Sequence, residues 1–266
     1  MAGGISAERT AQLTAAGLDP AAVQRVIEVA LAEDLPGGVD VTTVACVPAD
    51  HRSQVDLVAR ESGVLAGGPV AAAVFDLVAE GRCAVELPLP DASRVEAGTI
   101  VLSVSGATRD ILTAERTALN LLGHLCGVAT ATAQWAAALA GTSARVRDTR
   151  KTMPGLRALE KYAVRCGGGV NHRSGLSDAA LIKDNHVAAA GGVVPALDAV
   201  RRRWPDLPLE VEVDSLEQLR EVLAAGATAV LLDNFSTGQL REAVAITAGR
   251  AVLEASGGLA LAAAAD

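Results

Sequence analysis

The chain has 266 residues, of which 50% are hydrophobic and only 2% aromatic, and it carries a formal net charge of −8. That length accommodates one large α/β barrel or two smaller domains, with a core built mainly from Ala, Val and Leu. The acidic balance and the scarcity of rings exclude a general polyanion binder and the base-stacking nucleic-acid modules.

The first predicted element is a helix over about 20–34, with Pro20 near its start and Pro36-Gly37-Gly38 after it. "VDVTT" is then read as a loop. Short strands are expected at 53–60, 63–67, 83–87 and 99–105, with an apolar helix over about 69–80 between the second and third. That stretch is too short to span a bilayer, and Asp76 interrupts it. The amino terminus carries Glu8 and Arg9 and lacks the apolar run of a signal peptide. From Asp110 to Ala140 the pattern reads as one or two helices. There Leu112, Arg116, Leu119 and Gly123 share one side, so Arg116 lies beside an apolar stripe.

Beyond residue 140 the rhythm changes to alternating strands and helices. Strands are expected at about 144–148, 179–183, 208–214, 228–233 and 251–255, with another near 168–172. Helices are expected at about 187–204, 215–226 and 237–249. Such alternation implies a parallel sheet, either a barrel or doubly wound. No G-x-G-x-x-G follows the first strand, which favours the barrel. The expected organisation is therefore an N-terminal α/β sandwich-like domain over 1–140 and a (β/α) barrel domain over 141–266.

Chemistry-bearing side chains gather at the strand ends. Lys183, Glu212, Asp233 and Glu254 each fall at or near the C-terminal end of a different strand, where barrel enzymes keep their active sites. In "LEVEVD" the period of two places Glu210, Glu212 and Asp214 on one face and Val211 and Val213 on the other. Inward carboxylates need Lys, Arg, a metal or substrate hydroxyls as partners, because an unpaired buried charge is costly. A mouth ringed by Lys183, Glu212 and Asp233 satisfies that need; the plainer alternative is an ion-pair network that only fixes the barrel.

Cation usage is uneven as well. Between Arg145 and Arg173 eight Arg or Lys face two acids, Asp148 and Glu160, in a protein that is otherwise acidic. The three lysines, Lys151, Lys161 and Lys183, all fall in or just after this segment, while Arg is used everywhere else. Lys is a compact charge whose pKa shifts readily, so Lys151 and Lys183 are candidate functional groups ahead of Lys161. His124 is expected to pack in the core with a hydrogen bond, His186 to support Lys183, and His51 to lie at the surface. Neither the four histidines nor Cys46, Cys83, Cys126 and Cys166 have metal-site spacing. Lone thiols of this kind fit a reducing, cytoplasmic setting.

Six segments then carry a resemblance. "AERTALNLLGHLCGVAT" (114–130), "DTRKTMPGLRALEKYAVRCGGGVNHR" (148–173), "LSDAALIKDNH" (176–186), "LEVEVDS" (209–215), "VLLDNFS" (230–236) and "LEASGG" (253–258) together resemble the quinolinate phosphoribosyltransferase family. The most specific pairing is "DTRKT" with "GGGVNHR" about twenty residues later.

The resemblance implies a pentosyltransferase that joins quinolinate to phosphoribosyl pyrophosphate with decarboxylation, giving nicotinate mononucleotide on the de novo route to NAD. It implies that Thr149, Arg150, Lys151, His172, Arg173 and Lys183 line the quinolinate site. Arg116 is implied to enter the neighbouring subunit's site, making a homodimer the minimum unit, with a higher homo-oligomer an open alternative. Glu212 and Asp233 are implied near the ribose and its Mg²⁺, and Ser256, Gly257 and Gly258 form a phosphate-binding turn. Lys151, Lys183, Glu212 and Asp233 are the implied catalytic set. The cationic segment acquires a reason, since guanidinium forks match carboxylate and phosphate oxygens. The family pattern continues past "SGG" through a further helix and strand, so an incomplete barrel is expected here. Two other readings stay open: a Schiff-base lyase using Lys183 as nucleophile, and a non-catalytic anion-binding barrel.

Overall fold

The structure, a computed structural model, describes residues 4–264. The chain divides into two compact units, Met1–His172 and Arg173–Asp266. The expected boundary near residue 140 falls inside the first of these.

The first unit opens with helices α1 (Ala7–Ala15), α2 (Pro20–Asp34) and α3 (Val41–Cys46). Ser6 caps α1 by accepting from the Arg9 amide, and the Asp76 carboxylate accepts from the Ser6 hydroxyl at 2.6 Å. Pro20 starts α2 behind an Asp19 cap on the Ala21 amide. α3 corrects the loop expected for "VDVTT". Asp40 accepts from the Thr43 amide at 3.0 Å, and that cap outweighs the strand preference of the β-branched run.

Three strands, β1 (Arg52–Val58), β3 (Cys83–Glu86) and β5 (Ile100–Ala107), form an antiparallel sheet in the order β1-β5-β3. Two shorter strands, β2 (Gly63–Val64) and β4 (Arg94–Val95), pair separately. Gly106 cannot be replaced by a larger residue, since a Cβ there would lie 2.5 Å from the Arg82 carbonyl oxygen. Between β2 and β3 runs α4 (Gly68–Ala79), whose Val70–Phe75 segment is fully buried. It packs against α5 (Thr108–Ala138), a single 31-residue helix where one or two were expected. α6 (Arg157–Cys166) closes the unit and was not foreseen.

In the second unit β6 (Ala180–Ile182), β7 (Leu209–Val213), β8 (Ala229–Asp233) and β9 (Val252–Ser256) form a parallel sheet in sequence order. Helices α7 (Asp184–Ala190), α8 (Val193–Arg203), α9 (Leu216–Ala224) and α10 (Thr237–Thr247) lie between them. The single helix expected over 187–204 is thus two, because Gly191 and Gly192 both have positive φ and break it. Val211, Val213, Val230 and Leu232 join Leu197, Leu219 and Val222 in one apolar cluster. The out-of-phase residues, Glu212 and Asp233 among them, therefore occupy the opposite face of the sheet. The strands expected at 144–148 and near 168–172 reduce to one parallel bridge, Arg147 to Val170, in the first unit. Segments rich in Arg and Gly have little apolar surface with which to hold a longer ladder.

Candidate active site

In the first unit the cationic segment runs as a loop between α5 and α6 and then through α6 itself. Its root is fixed in the interior. Asp148 pairs with Lys161, and the two side chains are 7% and 4% exposed. Asp148 also accepts from the His172 amide at 2.7 Å, while Lys161 donates to the His172 carbonyl at 2.9 Å. From that root the loop turns outward. The Thr149 hydroxyl accepts from the Lys151 amide at 2.9 Å, and Lys151 itself is exposed. Arg150 is half-buried, and its Nε is buried with no hydrogen-bond partner among the described residues. A buried donor of this kind costs free energy until an acceptor meets it, which favours an anionic ligand.

The eight cations are thus of more than one kind. Lys161 is consumed internally. Arg165 donates to Asn171 and to the Ala16 carbonyl and lies over the Tyr162 ring at 5.4 Å. Arg157 donates to the Thr152 hydroxyl at 3.1 Å. Arg150 and Lys151 are left at the tip of the loop.

His124 corrects the expectation of a core residue. Its side chain is 37% exposed, and Nε2 lies 2.9 Å from Glu160 Oε1. The stripe shared by Arg116, Leu112 and Leu119 lies on the outward side of α5: the two leucines are each 37% exposed and Arg116 is exposed. The buried side is Ile111, Ala114, Ala118, Leu122 and Leu125. Both patterns have helical spacing, and periodicity alone does not say which one the core takes.

The second unit carries its candidate residues at strand ends. Lys183 follows β6 directly, and its Nζ lies 3.1 Å from Oε2 of Glu212 on the neighbouring β7. His186 supports Lys183 through the backbone, Nδ1 accepting from the Lys183 amide at 2.9 Å. Asp233 ends β8 and is paired in register with Ser256 at the end of β9. Arg173 donates to the Ala179 carbonyl at 3.1 Å. The loop after it is tied by Asp178, which the Ser174 amide, and then that of Gly175, hold below the usual carboxylate range.

Asn234 was missed by the sequence reading. It adopts φ 58°, and its side chain donates to Asp233 Oδ2 at 2.7 Å. Its amide donates to the Ser256 carbonyl at 2.8 Å. A Cβ on Gly257, itself at φ 82°, would lie 2.2 Å from Asn234 Oδ1. The glycine turn and the strand-end aspartate are therefore one packed unit. An Asn directly after a strand-end Asp was the available signal, since Asn tolerates the left-handed region better than most residues.

Parallel strands whose ends carry Lys183, Glu212, Asp233 and a Ser-Gly-Gly turn fit the class of α/β enzymes that act on charged small molecules. Comparison with known proteins narrows that class. The sequence profile of the quinolinate phosphoribosyl transferase N-terminal domain matches residues 40–126, and that of the C-terminal domain matches 128–266. The nicotinate-nucleotide pyrophosphorylase (carboxylating) of Mycobacterium leprae is 54% identical over 245 residues, covering 90% of this chain and 86% of that protein. The crystal structure of NadC from Streptococcus pyogenes matches with a TM-score of 0.88 at 41% identity, over 93% of this chain and 87% of that one. The nicotinate-nucleotide pyrophosphorylase of Francisella tularensis matches with a TM-score of 0.87 at 37% identity, over 92% and 86%. The chain belongs to the quinolinate phosphoribosyltransferase family.

Proposed function

We infer that the protein transfers the phosphoribosyl group of phosphoribosyl pyrophosphate to quinolinate with decarboxylation, yielding nicotinate mononucleotide, CO₂ and pyrophosphate for NAD biosynthesis. The observation that carries this is the presence of both family domains, in order, on a chain whose strand ends hold the Lys183–Glu212 pair and Asp233.

The substrates explain the charges. Quinolinate is a dianion, and Arg150, Lys151, His172 and Arg173 supply cations and donors for its carboxylates, with the Thr149 hydroxyl beside them. Lys183 belongs to the same set. Positive charge develops at C1 of the ribose as the bond to pyrophosphate breaks, and the Glu212 carboxylate, already oriented by Lys183, stabilises it. The ring nitrogen bonds to C1. The 2-carboxylate then departs as CO₂, its electron pair remaining on C2 beside the cationic nitrogen, and a proton fills the position. No covalent nucleophile is needed; the protein positions and neutralises. Ser256, Gly257 and Gly258 offer a tight turn whose amides suit a phosphate.

Glu212, one residue before the end of β7, and Asp233, the last residue of the adjacent β8, are hard oxygen donors of the kind Mg²⁺ takes. When bound, that ion supplies charge neutralisation on the pyrophosphate leaving group. The exposed Leu112, Arg116 and Leu119 on α5 support a homodimer in which Arg116 serves the partner's site. Its four free cysteines support a cytoplasmic, reducing location. Among the described residues no helix is long and apolar enough to cross a membrane.

The deciding experiment supplies carboxyl-labelled quinolinate, phosphoribosyl pyrophosphate and Mg²⁺. Labelled CO₂ and nicotinate mononucleotide are expected in equal amounts. Absence of both, or borohydride trapping of an adduct on Lys183, overturns the reading.

A further inference from the structure

Two buried, oppositely charged neighbours on α6, Glu160 and Lys161, face the two ends of the cationic loop. Lys161 takes the first end, through Asp148. Glu160 takes the last: both of its carboxylate oxygens lie 3.3 Å from the Met153 amide, and Oε1 also meets His124 Nε2. The four residues between, 149–152, are the Thr-Arg-Lys-Thr tip. Asn171 completes the root, donating to Asp148 Oδ2 at 2.5 Å and to the Lys161 carbonyl at 2.9 Å.

α6 is itself held from behind. Tyr162 donates to Asp91 Oδ2 at 2.6 Å, and the same carboxylate accepts from the amides of Gly67 and Gly68 at the start of α4. Burial first, and then the Asp91 charge, push the Tyr162 phenol up, which keeps its proton available for this contact.

Stability alone does not account for the Asp148–Lys161 pair. Burying two charges costs several kcal/mol, and a well-packed apolar pair at such a place is often as stable or more so. What an apolar pair cannot do is fix three polar groups at once: the carboxylate, the His172 amide and the His172 carbonyl. Those groups set where the 148–153 loop and the Asn171–His172 segment leave the interior.

We propose that Glu160 and Lys161 are positioning residues for the reaction, a clamp that holds both ends of the 149–152 loop in its ligand-binding conformation before quinolinate arrives. The proposal rests on the function inferred above. A preset loop spares the ordering cost that binding otherwise incurs, so the clamp acts on quinolinate affinity.

The test compares Lys161→Met with the double variant Asp148→Asn/Lys161→Met. The single variant strands a buried carboxylate and lowers the melting temperature; the double variant, with both charges gone, recovers most of it. The double variant is expected to lose kcat/KM for quinolinate on the order of 10- to 100-fold, chiefly through a higher KM. Its Met153 and His172 amides are expected to exchange with solvent faster than in the unmodified protein. Recovery of the melting temperature together with unchanged KM and unchanged amide exchange overturns the clamp. So does a fall in kcat at constant KM, which reports a smaller folded fraction. Should the double variant not fold, Glu160→Gln decides on the same readouts, since an amide leaves one acceptor where the carboxylate has two. If the unmodified protein itself releases no CO₂, the proposed function fails, while amide exchange at Met153 and His172 still decides the clamp.

Discussion

Lys183 and Glu212 show how one contact can matter to chemistry and hardly at all to stability. Their ion pair spans two strands, with Lys183 47% and Glu212 15% exposed, so water reaches it from the lysine side. Exposed pairs contribute little to folding because water screens them. Glu212→Gln is therefore expected to leave the melting temperature nearly unchanged. On the proposed mechanism its effect falls on the reaction, since an amide keeps the shape and loses the charge assigned to stabilise C1 of the ribose. We expect kcat to drop by about 100-fold with little change in the quinolinate KM, as steady-state kinetics on the variant would show. An equal loss in KM would instead assign Glu212 to ground-state binding. Lys161 is the reverse case, a buried cation consumed by its own fold. Counting charge along the segment does not show which cation is buried, because that is set by the fold that brings Asp148 and His172, 13 and 11 residues away, onto Lys161.

Elements with a strong local signature were legible, and those made by tertiary contact were not. β7, β8 and β9 follow the alternating or apolar runs expected of them, and α2 has its proline start. α6 is the opposite: four of its ten residues are charged, and two of those, Glu160 and Lys161, are buried beside Leu159, Tyr162 and Ala163, where a periodic reading expects apolar side chains. The same holds for the strand-end site. Lys183, Glu212 and Asp233 were placed by register, whereas Asn234 escaped because its role depends on a backbone angle. α3 depends on a single cap, and that can be checked. Asp40→Ala removes the Thr43 contacts and should cost the helix about 1 kcal/mol, read as faster amide exchange over residues 43–47. The Thr43 hydroxyl, followed by its amide, lowers the pKa of Asp40. The stabilisation is therefore fully present above the ordinary carboxylate value of about 3.9 and is lost as pH falls through the lower native value. The difference between variant and native protein should be full at pH 7 and vanish in strong acid.

For the molecule as a whole, the net charge of −8 works against two anionic substrates, so local cations must overcome a general repulsion. Arg116 is well placed to add one from outside. It sits on the exposed side of α5 between Leu112 and Leu119, and Arg109 ties the neighbouring α3 to that helix by donating to the Val44 and Val47 carbonyls. Val41 and Val44 of α3 are exposed as well, and exposed apolar side chains of this kind suit an interface. If this surface meets a second copy, each active site takes Lys183 from one chain and Arg116 from the other. Two dead variants should then rescue each other. Arg116→Ala and Lys183→Ala are each expected to be inactive alone. Random pairing after co-expression makes half of the dimers hybrid, and each hybrid has one site with both residues intact, so about a quarter of the native activity should return. Were both residues supplied by a single chain, no hybrid would contain an intact site and the mixture would stay as inactive as its parts. The assay therefore separates a shared site from a private one without requiring the oligomer's size.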